Sequence, residues 1–279
     1  MLEMRHVSQR FEKDILIDQS YIFPSIGFIG IVGASGCGKT TLLYILSGLL
    51  KPDQGEIYFN NVPLDQDFLA KHVTFIRQNN DMIASLNVED NIEIGCKIAN
   101  LSGLEKLPGI VYQLDIKRCL KKYPSALSVG QRKRVSIARS LLKASDVILC
   151  DEPTGALHQE AGHEVMQMLK KASSQALVLI VSHDEDLLKT YCDEIVILEN
   201  GRLKGTTHEA HYEIIPERKK KHYSLLPYAI KEVRFRAKRL ISLICFQIIL
   251  LSCLLFMVEG LHGLNFAINQ SVEHAPLKN

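Results

Sequence analysis

Phe28-Ile29-Gly30-Ile31-Val32-Gly33-Ala34-Ser35-Gly36-Cys37-Gly38-Lys39-Thr40-Thr41 is the stretch that decides the fold of this 279-residue chain. Phe28–Val32 is an apolar run short enough to be a buried strand, and the strand is expected over Gly27–Val32. The next eight residues fit G-x-x-x-x-G-K-[ST]. The segment after them, TTLLYILSGLL, has the spacing of a helix, expected over Lys39–Leu49. A strand, a glycine loop and a helix in that order let backbone N–H groups and a helix N-terminus wrap a phosphate chain. Lys39 is placed to reach the terminal phosphates, and Thr40 to offer its hydroxyl to Mg²⁺. Gly33 through Thr41 is therefore a nucleotide-binding loop.

Outward from the loop, short β-branched runs alternate with longer helical patterns. Strands are expected at Leu2–Val7, Glu56–Phe59, Val73–Ile76, Val147–Cys150, Leu177–Val181 and Glu194–Leu198. Helices are expected at Gln131–Leu142, Gln159–Ala172 and Glu185–Tyr191. Uniformly apolar strands such as VILC and LVLIV suit a parallel sheet covered on both faces, so the expected class is an α/β P-loop sandwich. Residues 84–126 have no long apolar strand and read as a mostly helical insertion.

A phosphate loop alone does not choose among nucleotide enzymes. In Asp146-Val147-Ile148-Leu149-Cys150-Asp151-Glu152, four apolar residues end in two carboxylates. Asp151 can hold a Mg²⁺ shell, and Glu152 can act as general base on an attacking water. A GTPase would want an Asn-Lys-x-Asp element, which the sequence lacks. The narrowing feature is Leu127-Ser128-Val129-Gly130-Gln131 followed by RKRVSIARSLL, with Gln131 lying 20 residues before Asp151. Ser128 and Gly130 stand at a helix start, where hydroxyl and N–H groups can take an anion.

With these residues the chain resembles the ATP-binding-cassette (ABC) ATPases, whose signature reads LSGGQ, over roughly residues 1–205. The resemblance implies that ATP is the nucleotide. It also implies that Gln78 reaches the Mg²⁺ and water, that His183 contacts the γ-phosphate, and that Phe11, 22 residues before Gly33, stacks on adenine. Two cassettes, a homodimer or this chain with a second ABC subunit, would close head to tail. Ser128, Gly130 and Gln131 of one would then face Lys39 of the other. Two positions depart from the family pattern. Val129 replaces the first signature glycine, and His158 stands where the family usually has the aspartate that links the two sites.

Composition agrees with a globular body: 47% hydrophobic and 23% charged residues exclude a disordered or collagen-like chain. Seven scattered cysteines without a Cys-x-x-Cys pair argue for a reducing compartment. The charged first 20 residues argue against a secretory leader. Charge is uneven. Residues 211–239 hold nine basic side chains, four of them Arg218-Lys219-Lys220-Lys221, against Glu213, Glu217 and Glu232. Leu240–Val258, LISLICFQIILLSCLLFMV, is then uncharged; as a helix its 19 residues span roughly 28 Å, near the ~30 Å apolar thickness of a bilayer. The basic flank places residues 1–239 on the cytoplasmic side.

The expected organisation is an ATP-binding domain over 1–210, with a helical subdomain at about 84–140, and a basic linker over 211–239. One membrane helix over 240–258 and a short external tail over 259–279 would follow. A cassette followed by a basic linker and a span resembles ABC exporters of the macrolide-efflux and lipoprotein-release type, in which cassette and permease are fused. One span cannot form a translocation path, so the partners expected are a permease chain or permease half and the lipid bilayer, with no nucleic acid. The chain would be the ATP-hydrolysing component of such an exporter. The alternative is an anchored ATP-binding remnant with little turnover.

Overall fold

The computed structural model describes residues 1–77, 82–155, 157–205, 208, 223–242, 244 and 246–247. In chain order the elements are β1 (Leu2–Arg10), β2 (Asp14–Phe23), β3 (Gly27–Val32), α1 (Lys39–Leu46), β4 (Gln54–Phe59), β5 (Val62–Pro63), α2 (Gln66–His72) and β6 (Val73–Ile76). There follow α3 (Val88–Ile98), α4 (Leu107–Gln113), α5 (Val129–Lys143), β7 (Val147–Asp151), α6 (Gln159–Ala172), β8 (Leu177–Val181), α7 (Glu185–Tyr191), β9 (Glu194–Glu199) and β10 (Arg202–Lys204).

The apolar strands form the centre of a six-stranded sheet of order β10-β9-β3-β8-β7-β6. Pairing is parallel from β9 to β6, and β10 is an antiparallel edge. Alternate residues of one strand serve opposite cores, because side chains alternate across a strand. Ile29, Ile31, Leu149, Leu177 and Leu179 pack with Leu42, Leu43 and Leu46 of α1. Phe28, Ile148, Cys150, Val178 and Ile180 pack with Val135, Ala138, Val165 and Met166 of α5 and α6. Neither face can tolerate a polar side chain, which is why these strands read as unbroken apolar runs.

The strands at Leu2–Val7 and Glu56–Phe59 do not join this sheet. They sit in β1 and β4 of a second, antiparallel sheet of order β2-β1-β4-β5. Its strand β2 was not expected, since Asp18, Gln19 and Ser20 interrupt its apolar pattern. Asp18 turns to φ +43, and buried Gln19 accepts a hydrogen bond from the Leu203 N–H at 2.6 Å, tying β2 to β10. Helix α1 stops three residues before the expected Leu49. Gly48 has φ +71, and a Cβ there would lie 2.1 Å from Leu69 Cδ1, so the chain must turn away at a residue without a side chain. Residues 84–126 hold α3, α4 and three short 3₁₀ turns and add no strand to either sheet.

The chain divides into two units, Met1–Leu225 and Leu226–Asn279. Both sheets belong to the first. In the second, the described residues 226–242 are helical. Among the described residues no helix is long and apolar enough to cross a membrane. The trailing membrane helix expected over 240–258 is therefore not supported by the structure. Most of that stretch, like 211–222 and the tail 259–279, lies outside the described residues.

Candidate functional site

The register of the parallel sheet decides where the chemistry gathers. Ile31 pairs with Val181, and Val181 with Asp151, so these three residues lie in one row across β3, β8 and β7. The chain beyond that row leaves all three strands at the same carboxyl edge, where open α/β sheets hold ligands. Gly33, Glu152 and His183 therefore emerge side by side although they are far apart in sequence.

Glu152 and His183 border a cleft of about 490 Å³ lined by Ser35, Gly36, Gly38, Lys39, Thr40 and Thr41 on one side and Asp151, Glu152, Gly155 and His183 on the other. The loop is tightly drawn. Gly38 has φ +107, and a Cβ there would approach Ile15 Cγ2 to 2.3 Å. A Cβ on Gly33 would meet the Leu198 carbonyl oxygen at 2.4 Å. Lys39 is 7% exposed, and its Nζ donates to the carbonyls of Gly33 at 2.7 Å and Ala34 at 3.0 Å. Cys37 is half-buried against the α1 core. The Thr40 hydroxyl donates to Asp151 Oδ1 at 3.2 Å, joining α1 to β7.

Glu152 takes φ +50, a conformation that costs a non-glycine residue about 1–2 kcal/mol. Its N–H donates to the Val181 carbonyl at 2.9 Å, and its own carbonyl accepts from Gly155 N–H at 3.2 Å. Its Oε1 is buried without a hydrogen-bond partner. It lies 3.5 Å from His183 Nε2, with no hydrogen bond between them. Burial pushes the Glu152 carboxyl above the usual range, while His183 pulls the other way. Asp151 is likewise pushed up by burial and eased by the Thr40 hydroxyl.

Sequence reasoning missed three residues. Ile15 of β2 is the wall against which Gly38 packs, and nothing in its local sequence marks it. Gly155 lines the cleft beside Glu152. Lys133 is 1% exposed inside α5, its Nζ 3.3 Å from the Arg77 carbonyl and 3.5 Å from the Glu152 carbonyl. Burial lowers its pKa. A signal existed, since Lys133 lies four residues before Ile137 on the apolar side of that helix.

Other expected residues stand apart from the cleft. Ser128 is the N-cap of α5 in a capping box: its hydroxyl accepts from the Gln131 N–H at 3.2 Å, and its own N–H donates to Gln131 Oε1 at 3.1 Å. Neither Ser128, Gly130 nor Gln131 lines the phosphate cleft of its own chain. Phe11 is 57% exposed at the β1–β2 turn and does not line it either. Gln78 lies outside the described residues. His158 is the N-cap of α6 with no capping hydrogen bond from its side chain. It borders a second cleft of about 550 Å³ that shares Glu152, Gly155 and His183 with the first.

A sequence profile described as ABC transporter matches residues 18–155. The chain is 36% identical over 214 residues to the macrolide export ATP-binding/permease protein MacB 2 of Aeromonas hydrophila, covering 73% of this chain and 33% of that protein. It thus spans about a third of that relative's length. It is 32% identical over 221 residues to the putative hemin import ATP-binding protein HrtA of Staphylococcus epidermidis, covering 74% of this chain and 99% of that protein. The dimeric ATP-binding cassette MJ0796, in a post-hydrolysis state bound to ADP and Pi, superposes with a TM-score of 0.66 at 29% identity. That match covers 76% of this chain and all of the cassette. Because the match to the Staphylococcus protein runs over nearly that protein's whole length, this chain belongs to the ABC transporter family, as an ATP-binding and ATP-hydrolysing cassette.

Proposed function

We propose that the chain powers an exporter by ATP-driven closure of two cassettes. The loop Gly33–Thr41 grips the triphosphate, with Lys39 on its terminal phosphates and Phe11 against adenine. Ser128, Gly130 and Gln131 of the facing cassette close the far side. Their separation from the cleft of their own chain supports a site completed by a second cassette. The donors fit Mg²⁺. Thr40 Oγ1 and Asp151 Oδ1 are hard oxygens 3.2 Å apart, and among the described residues no cluster of three His, Cys, Asp or Glu side chains could cage a metal ion. Few protein ligands suit a cation that keeps most of its water and takes the rest from phosphate. Thr40, Asp151 and Gln78 would hold it, and when bound it neutralises charge on the phosphates.

Glu152 takes the proton from the attacking water, and His183 contacts the γ-phosphate. The observation that carries this reading is the Glu152 Oε1, buried without a hydrogen-bond partner and 3.5 Å from His183 Nε2, on a residue that lines the cleft at the edge where three strands deliver the loop, the acid pair and the histidine. Export is favoured over import by chain order, a cassette followed by a basic segment and an apolar stretch, which agrees with a relative named as a fused ATP-binding/permease protein. On this reading 240–258 crosses the membrane once, residues 1–239 face the cytoplasm, and the translocation path comes from a permease chain or permease half.

Glu152→Gln removes the base and keeps the shape. It should retain ATP and hold two copies together in size-exclusion chromatography with light scattering, with turnover lost. Hydrolysis at the unsubstituted rate would refute the assignment of the base. His158 favours a second reading, an anchored ATP-binding protein with little turnover. That reading holds if the unsubstituted chain binds ATP without hydrolysing it and His158→Asp starts turnover.

A further inference from the structure

Lys133 carries an ammonium into the core, and nothing in the hydrolytic cycle proposed above uses it. It is 1% exposed and shares the buried side of α5 with Ile137 and Ser140, four and seven residues further on. An apolar residue of the same length would fill that space without the cost of burying a charge, so the ammonium must answer to something polar. Its Nζ donates to the Arg77 carbonyl at 3.3 Å and to the Glu152 carbonyl at 3.5 Å. Strands β6 and β7 run parallel with Ile76 opposite Cys150, so both carbonyls stand where two neighbouring strands leave the sheet. One belongs to the residue before Gln78 in the sequence, the other to Glu152 itself.

Glu152 needs such a hold. It sits at φ +50, a conformation that a residue with a side chain keeps only where its surroundings impose it. Its N–H is tied to Val181 and its carbonyl also accepts from Gly155 N–H; Lys133 adds a tie from a different element. That element begins at Ser128, five residues or about 7.5 Å along the helix, so one rod carries both the signature end and the lysine. Both contacts are long for hydrogen bonds, and a small movement of α5 would tighten or break them. We propose that Lys133 is a positioning residue for hydrolysis: it holds the backbone at Glu152 and at the exit of β6, so that seating Ser128 on the facing cassette's nucleotide is felt at this chain's own base. The inference deepens the site proposed above and rests on Glu152 as its base. Because the lysine acts through the Glu152 backbone, ATP affinity does not depend on it.

The full chain is compared with Lys133→Met, which keeps the length and loses the donors, and with Val135→Ala. Val135 packs in the same core as Ile76 and Cys150 and cannot donate to either carbonyl. Lys133→Met should lower kcat roughly 10- to 100-fold. The dissociation constant of a fluorescent ATP analogue should hold within about twofold, and the melting temperature should stay or rise because a buried charge is removed. Val135→Ala should do the reverse, lowering the melting temperature and keeping kcat within about twofold. A kcat that follows melting temperature in both variants is what a merely structural lysine gives and would overturn the proposal, as would an unchanged kcat in Lys133→Met. Hydrogen exchange read by mass spectrometry needs no turnover. In Lys133→Met the peptides over 73–77 and 150–155 should exchange roughly 10-fold faster while 27–32 keeps its rate; equal rates, or faster exchange across the whole sheet, would also overturn it. Glu152→Gln separates the two readings. If it hydrolyses ATP at the unsubstituted rate, the base is misassigned and this inference falls with it; if it is inert while Lys133→Met is not, the base stands and the positioning role alone fails.

Discussion

Gly38→Ala is expected to damage this protein in two separable ways, and the contact with Ile15 shows how to separate them. The residue sits at φ +107, and an added Cβ would stand 2.3 Å from Ile15 Cγ2. Moving an L-residue into that backbone region costs about 1–2 kcal/mol. Forcing a methyl into a filled space costs about 1–3 kcal/mol more, so the substitution should lower stability by about 2–5 kcal/mol. Ile15→Ala removes the Cγ2 that is struck. By itself it should cost about 2–5 kcal/mol, since Ile15 is 8% exposed and belongs to the core under α1. In the double variant the overlap is gone, so the Gly38→Ala change adds only its backbone term to the cost of Ile15→Ala. The two substitutions should therefore be less damaging together than their sum, by about 1–3 kcal/mol. Urea unfolding of the wild type, both single variants and the double variant closes the cycle. Additivity to within about 0.5 kcal/mol would show that β2 does not wall the phosphate loop.

Two shorter predictions concern other elements. Ser128→Ala removes the hydroxyl half of the capping box of α5 and keeps the backbone N–H that donates to Gln131 Oε1, and it should cost about 1 kcal/mol in urea unfolding; Ser128→Thr should restore most of it, and no loss would mean the cap is not formed in solution. Tyr21 is buried, and its phenol is pushed up to about 12, mainly by burial. A folded value above the unfolded one means the group contributes stability below pH 10 that is lost as pH rises toward 12, so wild type should lose more stability between pH 10 and 12 than Tyr21→Phe, followed by circular dichroism. Parallel curves for the two proteins would refute that reading.

Legibility followed the range of the interactions. The central strands could be read because burial on both faces leaves one composition, and the phosphate loop because its glycines, lysine and threonine form one pattern within eight residues. The acid pair at Asp151 and Glu152 was readable as the polar end of an apolar run. The second sheet was not. Strand β2 alternates irregularly around Asp18, and its polar Gln19 is buried only because β10, far along the chain, supplies the Leu203 N–H. Helix α1 was drawn too long because its end is set by Leu69 lying against Gly48, a contact no local pattern records. Lys133 passed as one of three consecutive cationic residues, although its helical phase points it into the core.

From residues alone came the chemical parts: a loop that binds phosphate, two carboxylates, a serine-capped helix start and a basic stretch leading into an apolar one. These are local properties of composition and spacing. Tertiary structure decided their meeting. Sheet register sets Ile31, Val181 and Asp151 in one row, which gathers Lys39, Glu152 and His183 around a single cleft and leaves Ser128 outside it. Register depends on pairing between strands that are not neighbours in the sequence, β3 with β8 and β8 with β7, and such pairing is chosen by the packing of the whole sheet.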